Sequence, residues 1–533
     1  MPWVAPALEP EPSPERWWVA VSISIGVLMG SIDSSIVNVA LPQMRGTLGA
    51  TLQEITWVAT GYVIASVIVM PLTGFLGALL GQKRLYLSFF SLFLVGSLLC
   101  GMARTLPLLV VFRVLQGIGG GALQPTAQAV LRQAFPPREH GMAIAAFAMT
   151  VMVGSALGPT LGGYIVDHDS WEWIFLINLP VGAVGFLMVT RFFHEPEDIR
   201  AANRVRAEHQ KKNLDWQGIT LLSVGLALLQ YVLEEGEQDG WFDSRVIALC
   251  AFGSALALVL LLYRELTAKA PVMNLRLFKD AVFSSGTLIG GLTFAMLTAN
   301  MFLLPVFMQE VLGFTALQAG TALLYRVAIM MVLSPIVGRL YGRVSVRAMA
   351  GVGTLLFFAG CWMMKDFTLL TSSFDVGVSL LFQGAGFALL YVPMTTVALV
   401  QIPRAKLADA TGLFALVRQI FASVALAVFG TLITRFGVED RASIASHLTI
   451  TSPQVQDRLE LLRRMLVARG YGPGDAEHGA LALVMAAVRQ QASVITFERL
   501  FLLAGFALLF SLPLIFLLRE PKGGGGQVVV EVE

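Results

Sequence analysis

Residues 107–131 read PLLVVFRVLQGIGGGALQPTAQAVL. About 20 apolar residues suffice to cross the hydrocarbon core of a bilayer as a helix. This stretch is long enough, and its one charge is Arg113. An ionisable group at the bilayer centre costs roughly 2.5–3.5 kcal/mol on insertion scales, so Arg113 has to face protein or water rather than lipid. The same kind of stretch recurs fourteen times, near 18–42, 55–79, 85–104, 107–131, 141–165, 173–193, 216–234, 245–263, 281–308, 315–338, 346–364, 373–398, 408–434 and 497–518. Several exceed the minimal length, which implies tilt or extension into the interface.

The composition agrees. Of 533 residues, 56% are apolar and 14% charged, and the mean hydropathy is +0.73. Soluble domains carry about 25% charged residues, so a string of soluble domains is excluded and an all-α polytopic membrane protein is expected. The net charge of +2 points to no nucleic-acid partner. Cys100, Cys250 and Cys361 lie singly in apolar runs, without the paired spacing of a disulfide framework or a zinc site. The six histidines all fall outside the apolar runs, so no metal is expected. The first apolar run is too long for a signal peptide and lacks a small-x-small cleavage site.

Positive charge orients the chain. With the N-terminus in the cytoplasm, the short outer loops hold only Arg45, Arg104, Arg245 and Lys365, and the inner loops hold most of the other cations. The expected topology is therefore N-in and C-in. Segments one to six form a first bundle over 1–193. A cytoplasmic linker, 194–214, carries Arg200, Arg204, Arg206, Lys211 and Lys212. Segments seven and eight form a two-helix insert, 215–266, and a second six-helix bundle covers 280–518. That bundle contains an outer loop, 435–497, in which Val455, Leu459, Leu462, Met465 and Leu466 repeat at helical spacing. The loop is expected to form a small helical hairpin lying on the outer face. The tail 519–533, with its run Gly523–Gly526, is expected to be disordered.

The two six-segment halves repeat each other. Asn38 and Pro42 match Asn300 and Pro305. Pro71 and Gly74 match Pro335 and Gly338. Gln116, Gly117 and Gly119 match Gln383, Gly384 and Gly386. All these pairs share nearly one offset. Six-plus-six repeats with a midplane site between the halves are the plan of secondary transporters. No GxxxxGK[ST] loop is present, so ATP is not the expected direct energy source.

Four charges lie well inside the segments: Asp33, Arg113, Arg326 and Arg418. Asp33 and Arg113 fall at depths compatible with contact. Burial and a neighbouring guanidinium act oppositely on a carboxyl group, so Asp33 is a candidate proton carrier whose state geometry or substrate can switch. A static ion pair between helices is the competing reading. Arg113, Gln116, Gly117, Gly120 and Gln124 share a helix face, expected to line water. Arg326 and Arg418 have no mid-span acid in their half and either face the cavity or donate to backbone. The expected cavity residues are Asn38, Gln116, Gln124, Asn300, Gln309, Arg326, Gln383, Tyr391 and Arg418. Phe302, Phe307, Tyr325, Tyr391 and Met394 are candidate walls, since apolar, Met-bearing surfaces re-pack around varied ligands. Nothing resembles an enzyme's catalytic cluster: there is no His-rich set, GxSxG or acidic pair.

On segment five, Gly154, Gly158, Pro159, Gly162 and Gly163 form GxxxGPxxGG. Glycines at every fourth position clear one face for close contact, and the proline bends the helix. With this motif in place the chain resembles the fourteen-span drug/proton antiporters of the major facilitator superfamily, the EmrB/QacA group. Other motifs match as well. RxxQGxG is carried by Arg113, Gln116, Gly117 and Gly119, and the segment-one pattern by Asp33 and Ile36 through Pro42, with Ser35 in place of Thr. The run Trp171–Pro180 has Glu172 where Arg is usual. The resemblance implies the major facilitator fold and proton-coupled multidrug efflux by alternating access, with the proton as coupling ion and no cofactor. Asp33 and Arg113 would serve proton coupling, and the segment-five glycines would be the antiporter motif. A dedicated exporter of one endogenous metabolite or lipid-like compound is the alternative. The long outer loop resembles EmrB more than QacA. It implies a bacterial inner membrane, a periplasmic adaptor of the EmrA type and an outer-membrane channel. One departure concerns the loop after segment two, where Ala78 replaces the Asp that normally helps latch the cytoplasmic side.

Overall fold

The computed structural model describes residues 15–212, 215–268, 271–448 and 452–517. The tail 519–533 expected to be disordered lies outside them. Among the described residues, fourteen helices are long and apolar enough to cross a membrane. The first six are α1 (Arg16–Leu48), α2 (Gln53–Leu80), α3 (Gln82–Met102), α4 (Leu106–Ala134), α5 (Pro137–His168) and α6 (Trp173–Phe192). The linker forms α7 (Glu197–Lys212), and the insert is α8 (Trp216–Glu235) and α9 (Arg245–Thr267). Then come α10 (Ala281–Val311), α11 (Leu317–Leu340), α12 (Val346–Asp366), α13 (Ser373–Ala398), α14 (Arg404–His447), the outer helix α15 (Pro453–Ala468) and α16 (Pro473–Ile515).

Helices α1–α6 pack among themselves, as do α10–α14 with α16. The halves meet along α5 with α11, and along α2 and α4 with α14. The insert sits outside this core, α8 on α2 and α14. Trp57 stacks on Tyr231, Thr60 donates to Glu235 at 3.3 Å, and Gln230 donates to Ser423 at 2.6 Å.

The outer loop does contain two packed helices, α15 on the start of α16, but their placement differs from a hairpin laid on the face. Helix α14 runs on unbroken to His447, and α16 starts at Pro473, well before the membrane segment it becomes. At about 1.5 Å per residue, α14 continues roughly 20 Å past residue 434, so the loop is built on two prolonged spans rather than lying on the face. Asp440 ties their bases together, accepting from Thr496 at 2.8 Å and from Arg499 at 2.6 Å. Helix α15 packs on α16 and has no buried residue.

Closure lies at the cytoplasmic ends. The repeat-related Gly74 and Gly338 mark its two crossing points. A Cβ on Gly74 would fall on Asp409 of α14, and one on Gly338 would lie 2.8 Å from the carbonyl oxygen of Gly141 on α5. Asp409 is 4% exposed and sits in the first turn of α14, where a helix favours negative charge. Arg206 of the linker helix faces it with both guanidinium ends, Nη2 donating to Oδ1 at 3.0 Å and Nη1 lying 2.8 Å from Oδ2. Arg404 pairs with Asp198 of the same linker helix at 3.2 Å and donates to the Gln133 carbonyl at 2.9 Å. Arg132 donates to the Thr396 carbonyl at 2.8 Å. Ala78, one helical turn beyond Gly74, is buried. Position 78 has no carboxylate; the acid at this closure, Asp409, comes from the opposite bundle, and the linker supplies its cation. With Cys250→Ser and a reporter Ala78→Cys, Arg206→Glu should raise maleimide labelling from the cytoplasmic side several-fold over the reporter alone. Unchanged labelling would remove the linker from the closure.

Candidate transport site

Asp33 and Arg113 meet in the middle of the first bundle. Arg113 Nη1 donates to Asp33 Oδ2 at 2.7 Å and to Gln116 Oε1 at 2.8 Å, while Nε donates to the Val58 carbonyl at 2.9 Å. Gln116 Nε2 donates to Asp33 Oδ1 at 2.8 Å. Asn178 reaches the same oxygen at 3.3 Å and donates to Ser97 at 2.9 Å. The guanidinium lies 4.4 Å from the centre of the Tyr62 ring, a cation–π contact. Asp33 is 0% and Arg113 1% exposed. Five helices, α1, α2, α3, α4 and α6, therefore converge on one carboxylate or its direct partners.

Of the residues expected to line water, Arg113, Gln116, Gly117 and Gly120 face the bundle interior instead, and Gln124 alone reaches the space between the halves. Gly117 and Gly121 seat α4 against the backbone of α2 at Tyr62 and Ser66, and Gly119 seats it against Phe93 of α3. A polar stripe in a span can face either a channel or the bundle interior, and here small residues draw two neighbours over it. Ser97, Asn178 and Tyr62 were missed. Asn178 lies within the Trp171–Pro180 run, so a signal for it existed; Ser97 and Tyr62 sit in ordinary apolar context.

Helix α5 packs on the other side of α1. Cβ atoms on Gly154, Gly158 and Gly162 would meet Ser31, Ser35 and Ile36 respectively, whereas one on Gly163 would enter open space. Pro159 lies inside the helix. The motif thus sets how closely α5 approaches the helix that carries Asp33.

The expected cavity residues separate into three places. Arg418, Gln124 and Tyr391 lie between the halves: Arg418 donates to the Tyr391 hydroxyl and, across the interface, to Gln124 Oε1, both at 2.7 Å, and lies 4.6 Å from the Phe294 ring centre. Gln128, one turn beyond Gln124, is buried with both amide atoms unpartnered. It continues the interfacial stripe toward Arg132, an i+4 signal that sequence reasoning passed over. Arg326, Gln383 and Asn300 lie inside the second bundle instead. Asn38 is exposed and bonds only its own helix, and Gln309 is exposed on a π-helical stretch, Phe307–Val311, at the outer end of α10. Of the proposed walls, Phe307 is ordinary core, clustered with Phe367, Phe497 and Phe501. Met394 is fully buried, and Phe302 and Tyr325 are exposed. Among the described residues no cluster of His, Cys, Asp and Glu could hold a metal.

Residues 23–426 match the family model for the Major Facilitator Superfamily. The chain belongs to that superfamily. The Neisseria gonorrhoeae fatty acid resistance protein FarB is 31% identical over 96% of this chain and 97% of its own length. The Escherichia coli K12 multidrug export protein EmrB is 31% identical over 95% and 96%. Among solved structures, the human organic anion transporter MFSD10 aligns with a TM-score of 0.60 at 15% identity, covering 93% of this chain and all of that one. The proton:xylose symporter XylE aligns at 0.58 and 13%, covering 93% and 95%. This major facilitator chain is a multi-pass membrane protein, and its family is one of transporters.

Two outcomes follow. Asp33→Asn leaves a buried guanidinium without its counter-charge and should cost about 3–5 kcal/mol; Asp33→Asn with Arg113→Gln should recover much of it, read as thermal unfolding of the purified protein. Gly158→Ala should abolish transport by pushing α5 off α1, while Gly163→Ala, with room for its methyl group, should leave uptake into everted vesicles near wild type.

Proposed function

We propose that this chain is a proton-driven exporter of amphipathic small molecules, a multidrug antiporter of the bacterial inner membrane working by alternating access. The observation that carries the reading is the Asp33 cluster. A carboxylate buried in hydrocarbon is held by a guanidinium, two amides and a helix packed through the glycine motif. Any movement of α1 against α4 changes what stabilises its charge, so proton uptake or release is tied to helix position. Protons would enter down their gradient as substrate leaves through the interface lined by Arg418, Gln124, Gln128 and Tyr391. The names of the EmrB relatives support the same substrate breadth.

A periplasmic adaptor of the EmrA type, leading to an outer-membrane channel, fits the prolonged α14 and α16. Leu461 and Met465 on α15 and Leu481, Leu483 and Met485 on the outer stretch of α16 are exposed, and exposed apolar surface of this kind marks interaction sites. The dedicated-exporter reading draws on FarB, whose name concerns fatty acids.

Everted membrane vesicles holding a respiration-driven pH gradient, reported by a pH-sensitive dye, test the reading. Several cationic, neutral or anionic amphiphiles should collapse the gradient with wild type and none with Asp33→Asn at matched abundance. An undiminished response in the variant would remove Asp33 from coupling. No response in wild type would remove broad drug export.

A further inference from the structure

The two bundles repeat each other's backbone but not each other's charge. Gly96 and Gly360, Phe93 and Phe357, and Gly119 and Gly386 make the same helix contacts at one offset or nearly so: α3 seats against α4 in the first bundle, as α12 does against α13 in the second. Gln116 and Gln383 occupy the equivalent interior positions. In the first bundle the Gln116 amide meets a matched pair, Asp33 and Arg113. In the second, the counterparts of that pair are Ala295 and Leu380, and the charge comes from the neighbouring helix. Arg326 stands where the repeat has Tyr62, with Gly384 packed on its carbonyl as Gly117 is on that of Tyr62.

Arg326 is 3% exposed. Its Nη2 donates to Gln383 Oε1 at 2.6 Å, while Nε and Nη1 are buried without a partner. Among the described residues no carboxylate forms an ion pair with it. Gln383 Nε2 turns the other way, to Asn300 Oδ1 at 3.3 Å, Cys361 Sγ at 3.3 Å and Met364 Sδ at 3.4 Å. Arg418 differs in kind: it has a hydroxyl, an amide oxygen and an aromatic face. A buried guanidinium with two idle donors is a heavy cost unless an anion completes it. Nε and Nη1 lie on different edges of the guanidinium, but one of them makes a fork with the Nη2 hydrogen that Gln383 leaves free; such a fork matches a carboxylate, and a single donor can also hold a halide.

We propose that the second bundle carries a site for one monovalent anionic group centred on Arg326, filled by the carboxylate of an amphipathic substrate or by free chloride. The substrate arm rests on the export reading above; the chloride arm does not. The site would give the second bundle the negative charge that Asp33 gives the first, supplied by a ligand rather than by the chain.

The test uses the purified full-length protein in a neutral detergent with sodium gluconate as background salt. Octanoate, octanol and octylammonium are titrated separately against thermal unfolding, and sodium chloride is titrated in a parallel arm. Octanoate should stabilise wild type, and its apparent affinity should fall about tenfold or more in Arg326→Gln, as expected for losing charge-assisted hydrogen bonds. Octanol should act equally on both. A response to chloride but not octanoate, lost in Arg326→Gln, supports the site with a halide as its occupant. The proposal is overturned if neither anion distinguishes wild type from Arg326→Gln, or if Arg418→Gln rather than Arg326→Gln removes the response. Should Arg326→Gln fail to fold, site-resolved alkylation of Cys361 in wild type gives a second reading. Octanoate or chloride should slow it several-fold and octanol should not; equal rates overturn the proposal. Vesicle efflux that persists without any anion response would refute this site and leave the export reading standing.

Discussion

A carboxylate and a guanidinium 2.7 Å apart, with almost no solvent access, hold the first bundle in register. Neither charge is stable there alone, because taking an ion out of water costs several kcal/mol that only good geometry and further hydrogen bonds return. That requirement explains the neighbours. Gln116 and Asn178 occupy the second carboxylate oxygen, the Val58 carbonyl takes the guanidinium Nε, and Tyr62 covers its face. The glycines of α4 and α5 then have their purpose. They let α2, α3 and α1 approach closely enough for these short side chains to reach, and they leave little room for lipid or bulk water between the helices.

The second constraint is at the cytoplasmic ends, where two bundles with no hydrophobic force between them in lipid must still close. Gly338 against Gly141 and Gly74 against Asp409 supply the contact, and a few charges hold it. The linker helix takes part directly, through Arg206 on Asp409 and Asp198 on Arg404. A linker that only tethered the halves would have no need for such pairs. Here it is a third element of the closure, supplying the cation that faces the α14 acid Asp409. The insert takes no part, since α8 docks on the outside of α2 and α14.

The internal repeat organises the backbone more strictly than the chemistry. Both halves reproduce the same glycine contacts between their third and fourth helices, yet only the first carries an acid at the position of Asp33; the second has Ala295 there. The placement of charge is therefore where the halves have diverged, with a buried ion pair in the first and an uncompensated cation in the second. The interface between them carries neutral amides, a tyrosine and Arg418, a polar but permissive lining.

The sequence by itself determined the fourteen spans, the repeat and the family, because span length and glycine spacing are local quantities that lipid forces on any chain. It also brought Asp33 and Arg113 to compatible depths. Tertiary structure decided what depth and periodicity cannot: which way each face points. It turned the α4 stripe from Arg113 to Gly120 into a bundle interior, left Gln124 between the halves with Arg418, and put Arg326 inside the second bundle. It also recruited Asn178, Ser97 and Tyr62 to the carboxylate, and made the outer loop a prolongation of two spans. A helix sequence specifies its faces but not its neighbours, and the neighbours are chosen by packing across hundreds of residues.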